Sequence, residues 1–243
     1  MESGVLLWML AGILRVGAQP TTATERPPDG LHPLITEVLF AVPTDDGTGL
    51  GDANRDGVRE ANGDEFIEIV NPHDEPIQLA GYTLRDSAAE GPRRFEFVFP
   101  ELELEPGGCA VVFNGHGCRW EGPIGDASRA PEAPHPYFND AFVFTARCSS
   151  RPSLANAGDW VMLVAPDGRV VECVSWGSPR VAVPEGVPRV EHVGRVSGSS
   201  VQRTAFDGQL VRHADLDSRA YSPGQPFVKA ETESEPPAGA GGW

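Results

Sequence analysis

The residues best suited to chemistry lie in an acidic loop between the first two predicted strands. Oxygen-bearing side chains occupy every second position at Asp52, Asn54 and Asp56, and Gly57 follows them. Alternate residues of such a loop turn inward around one hard cation, while the glycine permits the bend that lets the next residue offer its carbonyl. The sequence therefore predicts a calcium site with the candidate ligands Asp52, Asn54, Asp56, the Val58 carbonyl, Glu60 and Asp64.

The D-x-N-x-D-G order resembles the first half of an EF-hand or dockerin loop, and also the thrombospondin-type calcium repeats. A loop of the EF type needs a bidentate acid at its twelfth position, where this chain has Gly63. Asp64 closes the site if the loop is one residue longer, and Glu65 is the reserve candidate. The alternative is a hydrophilic loop in which Asp, Asn and Gly serve only as turn residues. Crowded carboxylates favour the cation, because their mutual repulsion is costly without one.

Four cysteines provide a second candidate site, and they are Cys109, Cys118, Cys148 and Cys173. Behind an export signal, an even number of cysteines suggests disulfides. We expect the pair 118–148, which would close a long connection, and the pair 109–173, which would link strands across the core. The alternative is a zinc site in which Cys118 and Cys148 join His116 or His135, although the short ligand spacing of most zinc sites is missing.

The signal for catalysis is weak. The sequence contains no G-x-S-x-G, no H-E-x-x-H and no phosphate-binding glycine loop. Glu37 and Glu68 do lie within predicted apolar strands, where a buried carboxylate requires a partner. They would form either a shared acid/base pair or, as we favour, a structural feature that pairs with an arginine such as Arg85 or points outward at an edge. The sequence thus predicts no catalytic residue.

A long connection, residues 114–140, carries Trp120 and Tyr137 among prolines and glycines. Loops of this length without regular structure are often functional, and exposed aromatic rings suit a ligand surface. The same two rings would equally well form a small apolar cluster under the loop. The sequence leaves both interpretations open.

These sites must be positioned by strands, because the apolar pattern shows short alternating segments and no helical stripe. Asn71-Pro72 ends the second strand, since a residue before proline disfavours the helical region, and Gly81 is expected to act as a bulge. Residues 166–168 are expected to form a hairpin turn. Such a series of strands predicts an all-β sandwich. The predicted strands are 34–42, 65–70, 95–99, 109–113, 141–145, 160–165, 169–176, 189–193 and 200–203, with shorter ones near 77–84 and 102–104.

The stretch 63–86 also carries a family resemblance. Its pattern E-F-I-E-I-x-N-P, followed by L-x-G-Y-x-L, is similar to that of the lamin tail domain in its bacterial secreted form. The earlier I-T-E-V and the later E-P-G-G, G-D and D-G pairs follow in the order of that family, over about residues 31–227. The resemblance implies an immunoglobulin-like β-sandwich, here a single domain with long loops, and it implies no catalysis.

Charge and the chain ends narrow the function further. Asp and Glu number 35 against 19 Lys and Arg, a net charge of −16, which disfavours binding to nucleic acid or to anionic lipid. Residues 1–18 show the apolar run and small residues of a signal peptide that is cleaved before Gln19. We expect a flexible leader at 19–30, the β-sandwich domain at 31–228 and a disordered tail at 229–243.

Together these patterns predict a non-enzymatic module that is exported to the periplasm, the cell surface or the medium and is stabilised by Ca²⁺. It would act in surface attachment, adhesion or envelope structure, with an unknown protein or glycan at the cell surface as its partner. We expect no nucleic acid partner, and no membrane insertion after signal cleavage. The alternatives are a metal-dependent exported hydrolase, or a carbohydrate-binding module that uses the 114–140 connection.

Overall fold

The computed structural model of the protein describes residues 30–44, 47, 49–88, 94–146 and 154–227. The expected signal peptide, the tail and most of the leader lie outside these residues. In the part that is described, no helix combines the length and the apolar character needed to cross a membrane. The strands are β1 (Leu34–Leu39), β2 (Phe66–Val70), β3 (Ile77–Gln78), β4 (Thr83–Asp86), β5 (Glu96–Val98), β6 (Glu103–Leu104), β7 (Cys109–Phe113), β8 (Ile124–Gly125), β9 (Phe142–Thr145), β10 (Gly158–Val164), β11 (Val170–Gly177), β12 (Val190–Val193), β13 (Val201–Arg203) and β14 (Leu210–Arg212), with 3₁₀ turns at Pro136–Phe138 and His213–Asp215.

The two larger sheets form a sandwich, so the expected all-β, immunoglobulin-like fold is confirmed. One sheet has the strand order β14-β13-β1-β2-β7-β9-β8, and the other has the order β12-β11-β10-β4-β5. The short strands β3 and β6 pair separately. Antiparallel pairing dominates, but β7–β9, β8–β9 and β11–β12 are parallel.

The core between the sheets follows the alternation of the strands. Ile67 and Ile69 of β2 and Val161 and Leu163 of β10 belong to one core cluster, and all four side chains are fully buried. Phe40, just after β1, stacks on Trp176 of β11 with ring centroids 4.3 Å apart. Each large apolar side chain buried in this way stabilises the fold by about 1.5–3 kcal/mol relative to leaving it exposed. The core thus joins the two sheets through residues of several strands.

An irregularity in β1 determines which side chains face outward. The register between β1 and β2 shifts between Ile35 and Glu37, although both Ile35 and Val38 belong to the inter-sheet core. A β-bulge of this kind sets two residues against one on the neighbouring strand. Thr36 and Glu37 therefore both lie on the outer side of the seven-stranded sheet, beside Glu68 of β2.

Several local expectations need correction. β1 ends at Leu39 and not at residue 42, and the short strands β8 and β14 were not predicted. Gly81 is not a bulge: with φ +81° it lies in the turn from β3 to β4, which belong to different sheets, so it redirects the chain. The hairpin through residues 166–168 is confirmed as β10–β11.

Candidate functional site

The acidic loop, residues 49–65, connects β1 to β2 and is organised by its own side chains. The two carboxylate oxygens of Asp52 accept the N–H groups of Asp56 and Gly57 at 3.0 and 2.9 Å. Asn54 Oδ1 accepts the same Asp56 N–H at 2.9 Å, and Asp56 Oδ1 accepts the Val58 N–H at 2.9 Å. The structure therefore directs the oxygens of Asp52, Asn54 and Asp56 toward one short stretch of backbone.

The two residues that flank Asp56 in this loop both have positive φ. Gly57 has φ +84°, which glycine adopts without strain, whereas Arg55 adopts φ +63°. A side chain in the left-handed region costs about 1–2 kcal/mol. Val58 is 55 % exposed, and Glu60 is half-buried. The backbone of the loop thus has the sharp bend that the sequence predicts, with a strained arginine at its centre.

Asp64 lies under the loop and ties together the two ends of its 54–60 segment. It is fully buried, and its oxygens accept the N–H groups of Asn54 at 2.9 Å and of Glu60 at 2.6 Å. Burial raises the pKa of Asp64 to about 7, against the lowering effect of these two hydrogen bonds. The reserve candidate Glu65 faces elsewhere, because it accepts the side-chain N–H of Asn114 at 2.9 Å.

The expected Cys109–Cys173 disulfide is wrong. Both thiols are free, and they lie on opposite outer faces of the sandwich: Cys109 belongs to the apolar cluster that contains Phe66, and Cys173 lies beside Met162 in the other sheet. A disulfide requires its Cα atoms to lie within about 7 Å of each other. The alternation along β7 turns Cys109 outward, where it lies beside Glu68 of the neighbouring strand β2.

The other expected disulfide and the alternative zinc site both involve Cys118, which lies against the acidic loop. Cys118 Sγ lies 2.7 Å from Asn54 Nδ2, while Cys148 lies outside the described residues, so the 118–148 pair stays a prediction. Burial and the nearby acids raise the pKa of Cys118 to about 12, whereas a zinc ligand must be a thiolate. Both ring nitrogens of His135 are already bonded, to the Glu121 carbonyl and the Tyr137 N–H. Among the described residues there is no group of three or more His, Cys, Asp or Glu side chains placed to hold a metal.

In the 114–140 connection, one aromatic ring packs against the sheet and the other is exposed. Trp120 packs on Phe113, with ring centroids 5.4 Å apart, and so joins the apolar cluster of Phe66 and Phe113 on the outer face of the seven-stranded sheet. Tyr137, in the first 3₁₀ turn, is 57 % exposed. The connection also contains β8, so it is more ordered than the sequence suggested. Of the two candidate ligand residues, only Tyr137 therefore offers its ring to a partner.

A second polar cluster is the glutamate pair, Glu37 and Glu68, which face each other across β1 and β2 and are fully buried. Neither favoured alternative from the sequence holds: the pair forms no ion pair with Arg85, and although both side chains point to the outer side of the sheet, β1 and β2 are central strands and not edges. Arg85 lies in β4 of the other sheet, and no described arginine or lysine pairs with either glutamate. Neutral groups satisfy the pair: the hydroxyls of Thr36, Ser200 and Ser222 and the N–H groups of Ser222 and Gly224.

The glutamate pair holds a proton at neutral pH. Burial and the charge of Glu68 raise the pKa of Glu37 to about 8, and burial raises the pKa of Glu68 to about 7. The hydrogen bonds around Ser222 also favour a proton on Glu37. Burial lowers the pKa of His213, whose Nδ1 donates to the Arg219 carbonyl at 2.9 Å, so its Nε2 accepts the Ser222 hydroxyl at 2.9 Å. The single proton of the Ser222 hydroxyl can serve only one of its contacts, to His213 Nε2 or to Glu37 Oε2 at 3.2 Å, and a proton on Glu37 satisfies both contacts at once.

Asp217, His213 and Ser222 contact one another in space as the acid, base and nucleophile of a hydrolase triad do. Asp217 Oδ1 is 3.6 Å from His213 Nδ1, but Ser222 is only 4 % exposed. The N–H groups of Ser222 and Gly224, which would have to bind an oxyanion, donate to the two glutamates instead. The arrangement is therefore a structural anchor and has no means of stabilising an acyl-transfer intermediate.

Sequence reasoning missed the partners of the glutamate pair and a cavity beside them. The signal for the pair was present, since two acids lay in predicted apolar strands, but its partners belong to the distant segment 199–225. The cavity has a volume of about 420 Å³ and lies between the acidic loop and residues 218–225. Arg55 lines this cavity, and the sequence analysis assigned it no role.

Comparison with known proteins places this geometry in context. The family model described as the Lamin Tail Domain matches residues 35–178, which is more than half of the chain. No curated protein matches the chain. The matched region contains the acidic loop and both members of the glutamate pair, but not the segment 199–225 that satisfies the pair.

Proposed function

Because the chain belongs to the lamin tail domain family, we propose that it is an exported, non-enzymatic β-sandwich module that Ca²⁺ stabilises and that attaches to a protein or glycan at the cell surface. The family match supports the module itself. The observation that carries the calcium part is the convergence of the Asp52, Asn54 and Asp56 oxygens on one short stretch of backbone.

The donor set of the acidic loop suits calcium. It offers only hard oxygen ligands, which are those that calcium prefers. An oxygen that accepts one N–H keeps a second lone pair for a cation. In this proposal the ligands are the side chains of Asp52, Asn54 and Asp56 and the Val58 carbonyl, with Glu60 entering through a bridging water.

Asp64 has a different part in the proposal. Its two oxygens accept the backbone N–H groups of Asn54 and Glu60, on either side of the bend, and it is fully buried. We assign it as the brace that holds the loop in shape under the ion. Its raised pKa then matters for stability and not for the ion itself.

Thermal unfolding in excess calcium and in EDTA tests this part. Extracellular calcium modules bind in the range of about 10⁻⁴–10⁻³ M, so millimolar calcium is expected to raise the melting temperature by about 1–6 °C. Asp52→Asn combined with Asp56→Asn should remove that rise. Asp207→Asn, an exposed aspartate outside the loop, is the matched control and should keep it. Identical melts of the wild-type protein in calcium and in EDTA would refute the calcium site.

The proposal of export is tested separately. The N-terminal sequence of the mature protein from its producing cells should begin at Gln19, as the small residues before it predict. Recovery of the uncleaved chain from the cytoplasm would contradict export. A net charge of −16 supports the absence of a nucleic acid partner.

Carbohydrate binding is a second candidate, because Tyr137 presents a 57 % exposed ring on the long connection. Exposed aromatic rings on loops are common in binding surfaces. Glycan-array binding that Tyr137→Ala abolishes, while Phe206→Ala at another exposed ring leaves it unchanged, would establish this function. An array without any signal would eliminate it.

A further inference from the structure

The cavity between the acidic loop and residues 218–225 has the charge of an anion site. Its volume of about 420 Å³ lies within the range of small-molecule sites. Acids outnumber basic residues by 35 to 19 in the protein, yet the lining contains two arginines and no acid. The lining residues that carry the argument are Arg55, Asn139, Ser218, Arg219, Tyr221 and Gln225.

Backbone strain is concentrated at the same cavity. Arg55, Asn139 and Asp140 are the non-glycine residues with positive φ in the described chain, and two of them line the cavity. Such conformations cost free energy and persist where the surrounding structure holds a side chain in place for use. The Arg55 guanidinium lies over the ring of Phe138 at 5.4 Å from its centroid. The ring supports the charge without neutralising it.

Arg219 is the second arginine of the cavity lining, and hydrogen bonds hold its side chain in place. Its Nε and Nη2 donate to Asp217 at 3.0 and 2.7 Å, and its Nη1 donates to Gln225 at 2.7 Å. A guanidinium has five N–H groups, so two remain for a ligand. Because three contacts fix this side chain, little conformational entropy is lost when it binds.

We propose that this cavity binds a small organic anion, whose carboxylate or phosphate group lies between Arg55 and Arg219. Arginine recognises both groups through paired N–H donors. The apolar side of the cavity, formed by Leu50, Ala53 and Pro223, accepts the uncharged part of the ligand. A large polyanion does not fit, because the net charge of −16 repels it at long range and the cavity is small.

This inference goes beyond the proposed function and does not depend on calcium. Isothermal titration of the full chain with glucuronate, glucose 6-phosphate and uncharged glucose, at equal ionic strength and in both calcium and EDTA, tests it. At least one of the two anions should bind at millimolar concentration, and glucose should not. Which anion binds decides between a carboxylate and a phosphate ligand.

Variants identify the site. Arg55→Gln should weaken anion binding by roughly tenfold or more, since a hydrogen bond to a charged group contributes about 1.5–3 kcal/mol. Ser218→Glu, at an exposed lining position, should weaken it equally by introducing a like charge without disturbing the core. Arg195→Gln, at an exposed arginine outside the cavity, has the same charge change and should bind as the wild type does. Failure of both anions to bind, or equal binding by the wild type and both site variants, would overturn the proposal.

Discussion

The acidic loop and the glutamate pair solve the same electrostatic problem in opposite ways. Both crowd carboxylates together on the seven-stranded side of the sandwich. In the loop, the Asp52 oxygens are satisfied by N–H groups only 4 and 5 positions along the chain. The partners of Glu37 and Glu68 in segment 199–225 lie 156 to 185 positions away. One arrangement is local and open to a cation, whereas the other is remote and holds a proton.

The difference shows what each carboxylate does for the fold. A solvated loop can lower its repulsion with a bound cation or with salt. A fully buried pair has neither, so it stays neutral and relies on hydrogen-bond donors. The segment 199–225, which lies beyond the family match, is the part of the chain that supplies most of these donors. The glutamate pair thus fastens the C-terminal part of the described chain to the sheet.

Removing a member of the glutamate pair is the strongest test of this comparison. Glu68→Ala leaves the Thr36 hydroxyl and the Gly224 N–H without their acceptor. Each buried group left unsatisfied costs about 1–3 kcal/mol, so a loss of about 2–5 kcal/mol in the free energy of unfolding is expected. Urea denaturation monitored by tryptophan fluorescence measures this loss.

Two variants control that experiment. Glu68→Gln is neutral like the protonated acid and retains one acceptor, so it should cost clearly less than Glu68→Ala. Glu132→Ala changes a glutamate whose side chain is 89 % exposed and should leave stability within about 0.5 kcal/mol. A Glu68→Ala protein as stable as this control would show that the pair does not anchor the segment.

The pH dependence of stability gives the next largest effect. A raised pKa in the folded state means that the folded protein binds more protons than the unfolded chain, whose glutamates titrate near 4.5. Stability from the pair is therefore fully present below about pH 4.5 and is lost as the pH rises through the folded values of about 7 and 8. Each proton held in this window contributes a slope of about 1.4 kcal/mol per pH unit.

Glu37→Gln separates the pair from the other buried acids. Asp64, Asp86 and Glu172 also have raised pKa values of about 7 and add to the slope of the wild-type protein. The free energy of unfolding, measured by urea denaturation at a series of pH values from 4.5 to 8.5, should decrease less steeply with pH for Glu37→Gln than for the wild type. Parallel profiles for the two proteins would mean that the pair is ionised in the folded state at neutral pH.

The same contrast explains how far the sequence could predict the structure. The acidic loop was recognisable because its donors and acceptors lie within a few residues of one another. Most strands were recognisable from alternation, but β8 and β14, which have two and three residues, were not. The hydrogen bonds of Glu37 depend on the bulge in β1 and on a segment that arrives from far along the chain. Nothing near Glu37 in the sequence indicates either feature.

Arg203 and the cysteines illustrate the same limit. Arg203 is fully buried, forms ion pairs with Glu172 and Glu191, and joins β13 to the other sheet. An isolated arginine at the end of a weak predicted strand gives no sign of this role. The Cys109–Cys173 pairing failed for a related reason, because sequence alternation places a side chain on a face but does not say which sheet carries it.

A pair of identical substitutions gives the smallest expected effect and the sharpest comparison. Gly57 and Gly224 have nearly the same backbone conformation, with φ +84° and +86°. A Cβ at Gly57 would meet nothing within 4 Å, so Gly57→Ala should cost only the conformational strain of about 1–2 kcal/mol. A Cβ at Gly224 would lie 2.0 Å from the Phe138 carbonyl oxygen, and its N–H would be displaced from Glu68. Gly224→Ala should therefore cost more than Gly57→Ala in urea denaturation in EDTA, and equal costs would show that the remote region tolerates change as readily as the loop does.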